Sequence, residues 1–239
     1  MKRIINIFFL INLFVFFSCS YSPDVDLSNL ITEAKENGIS FNNHGTTVVV
    51  SPQNQTNRAM IFYPGGAVKY EAYLPLMIKC AEKGIKCFLL QMPNDLAILN
   101  ITAAKCYIED YPKITDWYLG GHSLGGAMAG NYIQKNANDF KGLILLAAYT
   151  TCDISNTNLK VLSIYGENDQ VMKRDKYNEN KKNLPQGQGR VKEIKIAGGN
   201  HGNFGCYGEQ KGDGRASISA EEQQAETARY IEEFMEENR

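Results

Sequence analysis

The spacing of apolar residues changes period repeatedly along this chain. Residues 46–50 are β-branched, and residues 59–63 form an apolar run stopped by Pro64, Gly65 and Gly66. Both read as strands. Residues 73–83 have helical spacing, with Gly84 as a stop signal. A strand is predicted over 85–91, closed by Met92, Pro93 and Asn94, and helical spacing returns over 96–108. A short strand over 117–119 runs into Gly120 and Gly121, and a helix is predicted over 124–135. Residues 142–147 and 161–165 are continuous apolar runs, the pattern of strands buried on both faces. A last strand is predicted over 191–196. Ser219 and Glu222 then form a capping box ahead of a helix through Glu236. Strands alternating with helices of ten to fifteen residues predict an α/β fold, a mostly parallel twisted sheet with helices on both faces. The one long irregular stretch, 198–214, is rich in glycine, and loops of that length are often functional.

The first residues are read apart from this fold. Lys2 and Arg3 precede an almost wholly apolar stretch, residues 4–17, which is short for a membrane span but suits a signal peptide. Ser18, Cys19 and Ser20 follow directly. This arrangement resembles a bacterial lipoprotein signal, which implies lipidation of Cys19, export and a membrane as partner. Ordinary cleavage nearby and an uncleaved anchor are the alternatives. The expected organisation is a signal peptide over 1–18, a linker with one short helix over 19–45, and a single α/β domain over 46–239.

The formal net charge is −1 for the 239 residues. Losing Lys2 and Arg3 with the signal leaves 23 basic against 26 acidic side chains, a mildly acidic body without the basic face that nucleic acid requires. Five cysteines remain beyond Cys19, with no C-x-x-C, so no metal or redox site is expected. Cys80, Cys87 and Cys106 read as core residues. Cys152 and Cys206, in predicted loops, are the better disulfide candidates.

Residues 121–125, Gly-His-Ser-Leu-Gly, form a G-x-S-x-G between a predicted strand and a predicted helix. That is the setting of a nucleophile elbow, a turn so tight that the positions two before and two after the serine must be small. Gly126, Ala127, Ala129 and Gly130 extend the small-residue pattern and would let the helix approach the sheet. Ser123 is therefore the candidate nucleophile, and a serine hydroxyl needs a base. Partners of such an elbow follow in the order acid, then histidine. Of His44, His122 and His201, only His201 lies downstream, after the last predicted strand and at the elbow's sheet edge. His122 should pack beside the elbow, and His44 reads as incidental. Asp169, in the loop after strand 161–165, is the favoured acid. Asp153 and Glu167 are its competitors. Two N–H donors should face the oxyanion. Leu124 supplies one, and the turn after residue 63 supplies the other, with Gly66 chosen and Ala67 the alternative.

Over nearly the whole mature chain, from about Thr46 to the C-terminal helix, these pieces resemble the α/β-hydrolase family. The turn at Tyr63, Pro64, Gly65 and Gly66, the Ser123 elbow, Asp169 and His201 are the points of resemblance. The likeness is to small bacterial hydrolases without a large lid, because the stretch 149–158 is short where large lids sit in the family. It implies cofactor-free cleavage of carboxylic esters or thioesters of small acyl substrates in an open pocket. A dienelactone-hydrolase subgroup uses cysteine where this chain has Ser123. Two other readings share the scaffold: acyl transfer by the same triad, and a non-catalytic surface lipoprotein that binds a ligand.

Overall fold

A computed structural model describes residues 20–238, so the expected signal peptide and Cys19 lie outside the described residues. Within them is one eight-stranded sheet in the order β1-β2-β4-β3-β5-β6-β7-β8. The strands are β1 (Ser40–His44), β2 (Thr47–Ser51), β3 (Arg58–Tyr63), β4 (Lys86–Leu89), β5 (Asp116–His122), β6 (Gly142–Leu146), β7 (Lys160–Gly166) and β8 (Val191–Ile196). β1–β2 and β2–β4 are antiparallel, and every other pairing is parallel. The helices are α1 (Leu27–Glu36), α2 (Leu74–Glu82), α3 (Lys105–Asp110), α4 (Leu124–Asn136), α5 (Arg174–Asn180) and α6 (Ala220–Glu236).

The alternation of side chains along each strand divides the core in two. On β3, Met60 and Phe62 join the layer under α2 and α6, with Leu76, Met77, Ile231 and Phe234. Ala59, Ile61 and Tyr63 join the opposite layer with Ala129 and Ile133 of α4 and Tyr107 of α3. Central strands buried on both faces have to be apolar throughout, as β6 is. The capping box at α6 is present, with Ser219 Oγ accepting from Glu222 N–H at 3.1 Å and Ser219 N–H donating to Glu222 Oε2 at 2.8 Å.

Four sequence expectations change. The stretch read as a linker is folded: α1 carries an Asp26 cap, and β1 pairs along its whole length with β2. β1 is an edge strand of sequence Ser-Phe-Asn-Asn-His, too polar to announce itself. Residues 96–108 do not form one helix. A 3₁₀ turn (Ala97–Leu99) precedes the six-residue α3, because the buried Tyr63 hydroxyl donates to Ile101 C=O at 2.7 Å and accepts from Ala104 N–H at 2.9 Å, pinning the segment as a loop. Cys106 is exposed on α3 rather than in the core. Cys152 and Cys206 are free thiols, like the other three described cysteines.

Candidate active site

Loops leaving the C-terminal ends of the parallel strands meet at one edge, and the backbone there is strained. Every described non-glycine residue with positive φ lies in a loop after β3, β4, β5 or β6: Ala67 (56°), Asn94 (49°), Asp95 (55°), Ser123 (51°) and Ala147 (45°). Such conformations cost on the order of 1–3 kcal/mol each and cluster where a site requires them.

Ser123 follows β5 directly and sits at the N-cap of α4, with φ 51° and ψ −120°. Its N–H donates to Leu146 C=O at 2.9 Å. The surrounding glycines are sterically required. A Cβ on Gly126 would fall 2.5 Å from Ala148 Cβ, and one on Gly130 2.5 Å from Thr150 Cβ. A Cβ on Gly125 would overlap the carbonyl oxygens of Tyr63 and Pro64. Helix α4 therefore runs in backbone contact with the sheet, and its N-terminus carries a partial positive charge to the serine.

His201 leaves the loop after β8, and Asp169 leaves the loop after β7. His201 Nδ1 lies 3.0 Å from Asp169 Oδ2, with side-chain exposures of 1% and 0%. Asp169 Oδ1 also accepts from the N–H groups of Val171 and Met172, each at 2.9 Å. Burial pushes the Asp169 carboxyl up, but the His201 hydrogen bond and charge and the two amides outweigh it, holding the group below its ordinary value. An ionised Asp169 can only accept, so the His201 proton sits on Nδ1 and leaves Nε2 with a free lone pair. The His201 ring packs on His122, the residue before Ser123, with centroids 4.6 Å apart. Nε2 of His201 is buried and makes no hydrogen bond to Ser123 or to any other described group.

The competing acids lie elsewhere. Asp153 is a turn residue accepting from Ser155 N–H at 2.9 Å. Glu167 pairs with Lys195 at 3.0 Å and accepts from Gly198 N–H. Of the two N–H candidates after β3, Ala67 donates to Asp95 C=O at 2.9 Å, whereas Gly66, like Leu124, donates to no described group. A Cβ on Gly66 would lie 2.9 Å from Leu124 Cδ2, so the two unpaired amides belong to touching residues. His44 is remote in role: it lies on β1, 3.1 Å from Asp110.

Sequence reasoning missed the residues that hold the histidine loop. Gln223 and Gln224 are buried on the inner face of α6. Gln223 accepts from Asn200 N–H at 3.0 Å and donates to Asn200 C=O at 2.9 Å. Gln224 donates to Gly205 C=O at 2.9 Å. Asp213 accepts from Gly202 N–H at 2.9 Å and from Gln170 N–H at 3.2 Å, tying the His201 loop to the Asp169 loop. Two glutamines on the apolar stripe of a predicted helix were the available signal. It also missed Tyr73, whose hydroxyl accepts from Gly65 N–H at 3.0 Å and lies 2.8 Å from His122 Nδ1.

The described N-terminus reaches this edge as well. Ser20 Oγ donates to Asp95 Oδ2 at 2.6 Å, and Tyr21 exchanges backbone hydrogen bonds with Ala67 and Lys69.

Comparison with known proteins gives one family and one fold. The model of the alpha/beta hydrolase family matches residues 59–225. No curated protein sequence matches the chain. Among solved structures, the chain is similar to Est1E from Butyrivibrio proteoclasticus, solved with ferulic acid bound, at 16% identity and TM-score 0.59 over 84% of this chain and 96% of that one. It is also similar to a thermophilic esterase from Thermogutta terrifontis, at 12% identity and TM-score 0.56 over 81% and 91% of the two chains. A third similar structure is an alpha/beta hydrolase enzyme from the metagenome of lagoon sediments at Mar Chica, at 14% identity and TM-score 0.59 over 83% and 98%.

Proposed function

Because this chain belongs to the alpha/beta hydrolase family, we propose that it is a serine hydrolase that cleaves carboxylic ester or thioester bonds of small acyl substrates through Ser123, His201 and Asp169. The observation that carries this reading is the sealed Asp169–His201 pair packed against the turn that presents Ser123.

In this mechanism His201 Nε2 takes the proton of Ser123 Oγ as the oxygen attacks the substrate carbonyl carbon. The Ser123–His201 hydrogen bond closes on substrate binding, as catalytic hydrogen bonds commonly do. The carbonyl π pair moves to oxygen, and the N–H groups of Leu124 and Gly66 receive that oxyanion. Asp169 stabilises the imidazolium and keeps its orientation without taking a proton. Collapse of the intermediate expels the alkoxide or thiolate, which His201 protonates. Water then repeats the sequence and frees the carboxylic acid. No cofactor enters any step.

Lipidation of Cys19 would place the anchor one residue from Ser20, which is bound at the edge that carries the site. The proposed enzyme would then work at the membrane after export. Incorporation of an alkyne-tagged fatty acid that is lost in Cys19→Ala tests this part separately.

A fluorophosphonate probe tests the enzyme itself. Modification mapping to Ser123, and loss of p-nitrophenyl ester turnover in a folded Ser123→Ala variant, are expected. Turnover retained by that variant overturns the proposal.

A further inference from the structure

The mechanism leaves one buried polar chain unused. Gly65 N–H donates to Tyr73 Oη at 3.0 Å, and Tyr73 Oη lies 2.8 Å from His122 Nδ1. Tyr73 has no exposed surface, and His122 is 1% exposed. The phenol has a single proton. With Tyr73 as the donor to His122 Nδ1, the imidazole proton sits on Nε2, a buried atom with no other described hydrogen-bond partner. Burial first, and the neighbouring His201 second, hold the His122 ring well below its ordinary pKa, so it stays a neutral acceptor.

The three partners come from three elements. Tyr73 ends the turn ahead of α2, His122 ends β5, and Gly65 lies in the loop after β3. The fit is close: a Cβ on Gly65 would fall 2.7 Å from Tyr73 Oη and 2.8 Å from His122 Nδ1. The next residue is Gly66, whose N–H donates to no described group and which lies against Leu124. The Gly65 N–H lies in the peptide plane before Gly65 Cα and the Gly66 N–H in the plane after it, so pinning the first anchors one end of the short joint from which the second is presented.

We propose that Tyr73 and His122 are positioning residues that act through Gly65 to hold the Gly66 N–H in register with the oxyanion. The inference rests on the serine hydrolase reading and adds to it Tyr73, which bonds to neither the nucleophile nor its base, and His122, whose ring packs on the base. Their effect should fall on the transition state, because the oxyanion exists only there.

Removing an oxyanion donor costs about 10²–10³ in kcat, and a misplaced donor keeps part of its effect. Tyr73→Phe is therefore expected to lower kcat roughly 10- to 100-fold, with KM within about threefold. His122→Leu should do the same. His122→Asn, which offers an acceptor oxygen near the Nδ1 position, should bring kcat back to within about threefold of the parent. Affinity for a trifluoromethyl ketone, which forms a tetrahedral adduct on the serine, should fall in step with kcat/KM, whereas affinity for the product carboxylate should not.

The deciding experiment measures fluorophosphonate modification of Ser123 in the parent and the three variants, beside their melting temperatures. A parent that is not modified at Ser123 overturns the hydrolase reading together with this inference. A parent that is modified, with a folded Tyr73→Phe that reacts and turns over at the parental rate, overturns the positioning role and leaves the hydrolase reading standing. Lower melting temperatures with unchanged kcat overturn it in the same way. Nitrogen-15 NMR of the parent applies even if a variant fails to fold: a proton on His122 Nδ1 overturns the inference, and a proton on Nε2 supports it.

Discussion

A Cβ built on Gly121 falls 2.6 Å from the amide nitrogen of Gly126. The strand that delivers Ser123 and the helix that leaves it thus touch backbone to backbone across the turn. Gly121→Ala must push α4 off the sheet, and overpacking of this kind costs about 1–3 kcal/mol or more. The variant is expected to melt several degrees below the parent and to lose fluorophosphonate labelling of Ser123 in its folded fraction. A fully labelled, equally stable Gly121→Ala protein contradicts this description of the elbow.

Asp169→Asn keeps an acceptor for the Val171 and Met172 amides but removes the charge that orients His201. A loss in kcat on the order of 10⁴ is expected from a neutral residue at this place. The same variant reports on pH. The folded carboxyl lies below its ordinary 3.8, so the native state holds the ionised form more firmly than the unfolded chain does. The resulting stability is complete above pH 3.8 and is lost as pH falls through the folded value. The melting-temperature gap between parent and Asp169→Asn should therefore be constant above about pH 5 and narrow below about pH 4.

His122 works in the opposite chemical sense. Burial first and His201 second hold its ring neutral, with a pKa well below the ordinary 6.5, and its polar neighbours are Tyr73 and His201. The unfolded chain takes up a proton below pH 6.5 that the folded protein refuses. Stability should fall as pH drops from 6.5 toward the folded value and level off below it. In His122→Asn that part of the slope should vanish. Equal slopes in both proteins from pH 6.5 to 5 would show that His122 titrates normally.

What the sequence made legible follows from local rules. The elbow is a five-residue pattern whose glycines are enforced by contacts within a few residues, and the α6 cap is set by Ser219 and Glu222 alone. His201 and Asp169 followed from chain order, because β7 and β8 place their loops at the same edge as β5. The rest depended on contacts distant in sequence. β1 is a polar edge strand, and an edge needs no apolar alternation. Residues 96–108 have helical spacing, but the Tyr63 hydroxyl bonds to Ile101 and Ala104 and interrupts the helix there. Tyr73 and His122 are 49 positions apart, and nothing in either neighbourhood announces their bond. The hydrogen bond that ties the Ala67 N–H, the alternative to Gly66, to Asp95 is likewise encoded by no spacing.

Gln223 is a buried amide whose two ends both serve Asn200, the residue before His201. Gln223→Leu has similar bulk but leaves the half-buried Asn200 N–H and C=O without their partner. Each such group costs about 1–3 kcal/mol, so a clear drop in melting temperature is expected. Because the loop that loosens carries His201, kcat should fall more than KM rises. Faster amide exchange at Asn200 and Gly202, with exchange in β3 and β5 unchanged, would locate the effect. Parental exchange in this loop would mean that other contacts hold it.

The free cysteines give a chemical test of the fold. Cys106 lies exposed on α3, Cys152 is half-buried after β6, and Cys80, Cys87 and Cys206 are buried. A thiol must ionise to react, and burial pushes the Cys206 thiol up to about 12. Alkylation of the native protein followed by peptide mapping should find Cys106 modified first and Cys152 more slowly, with Cys80, Cys87 and Cys206 modified only after unfolding. A Cys152–Cys206 bridge, the pairing suggested by the two loops, would predict otherwise. Both thiols would resist alkylation until reduced, and a reductant would lower stability by about 2–4 kcal/mol, the usual effect of losing a disulfide. The expected outcome is a melting temperature that a reductant leaves unchanged.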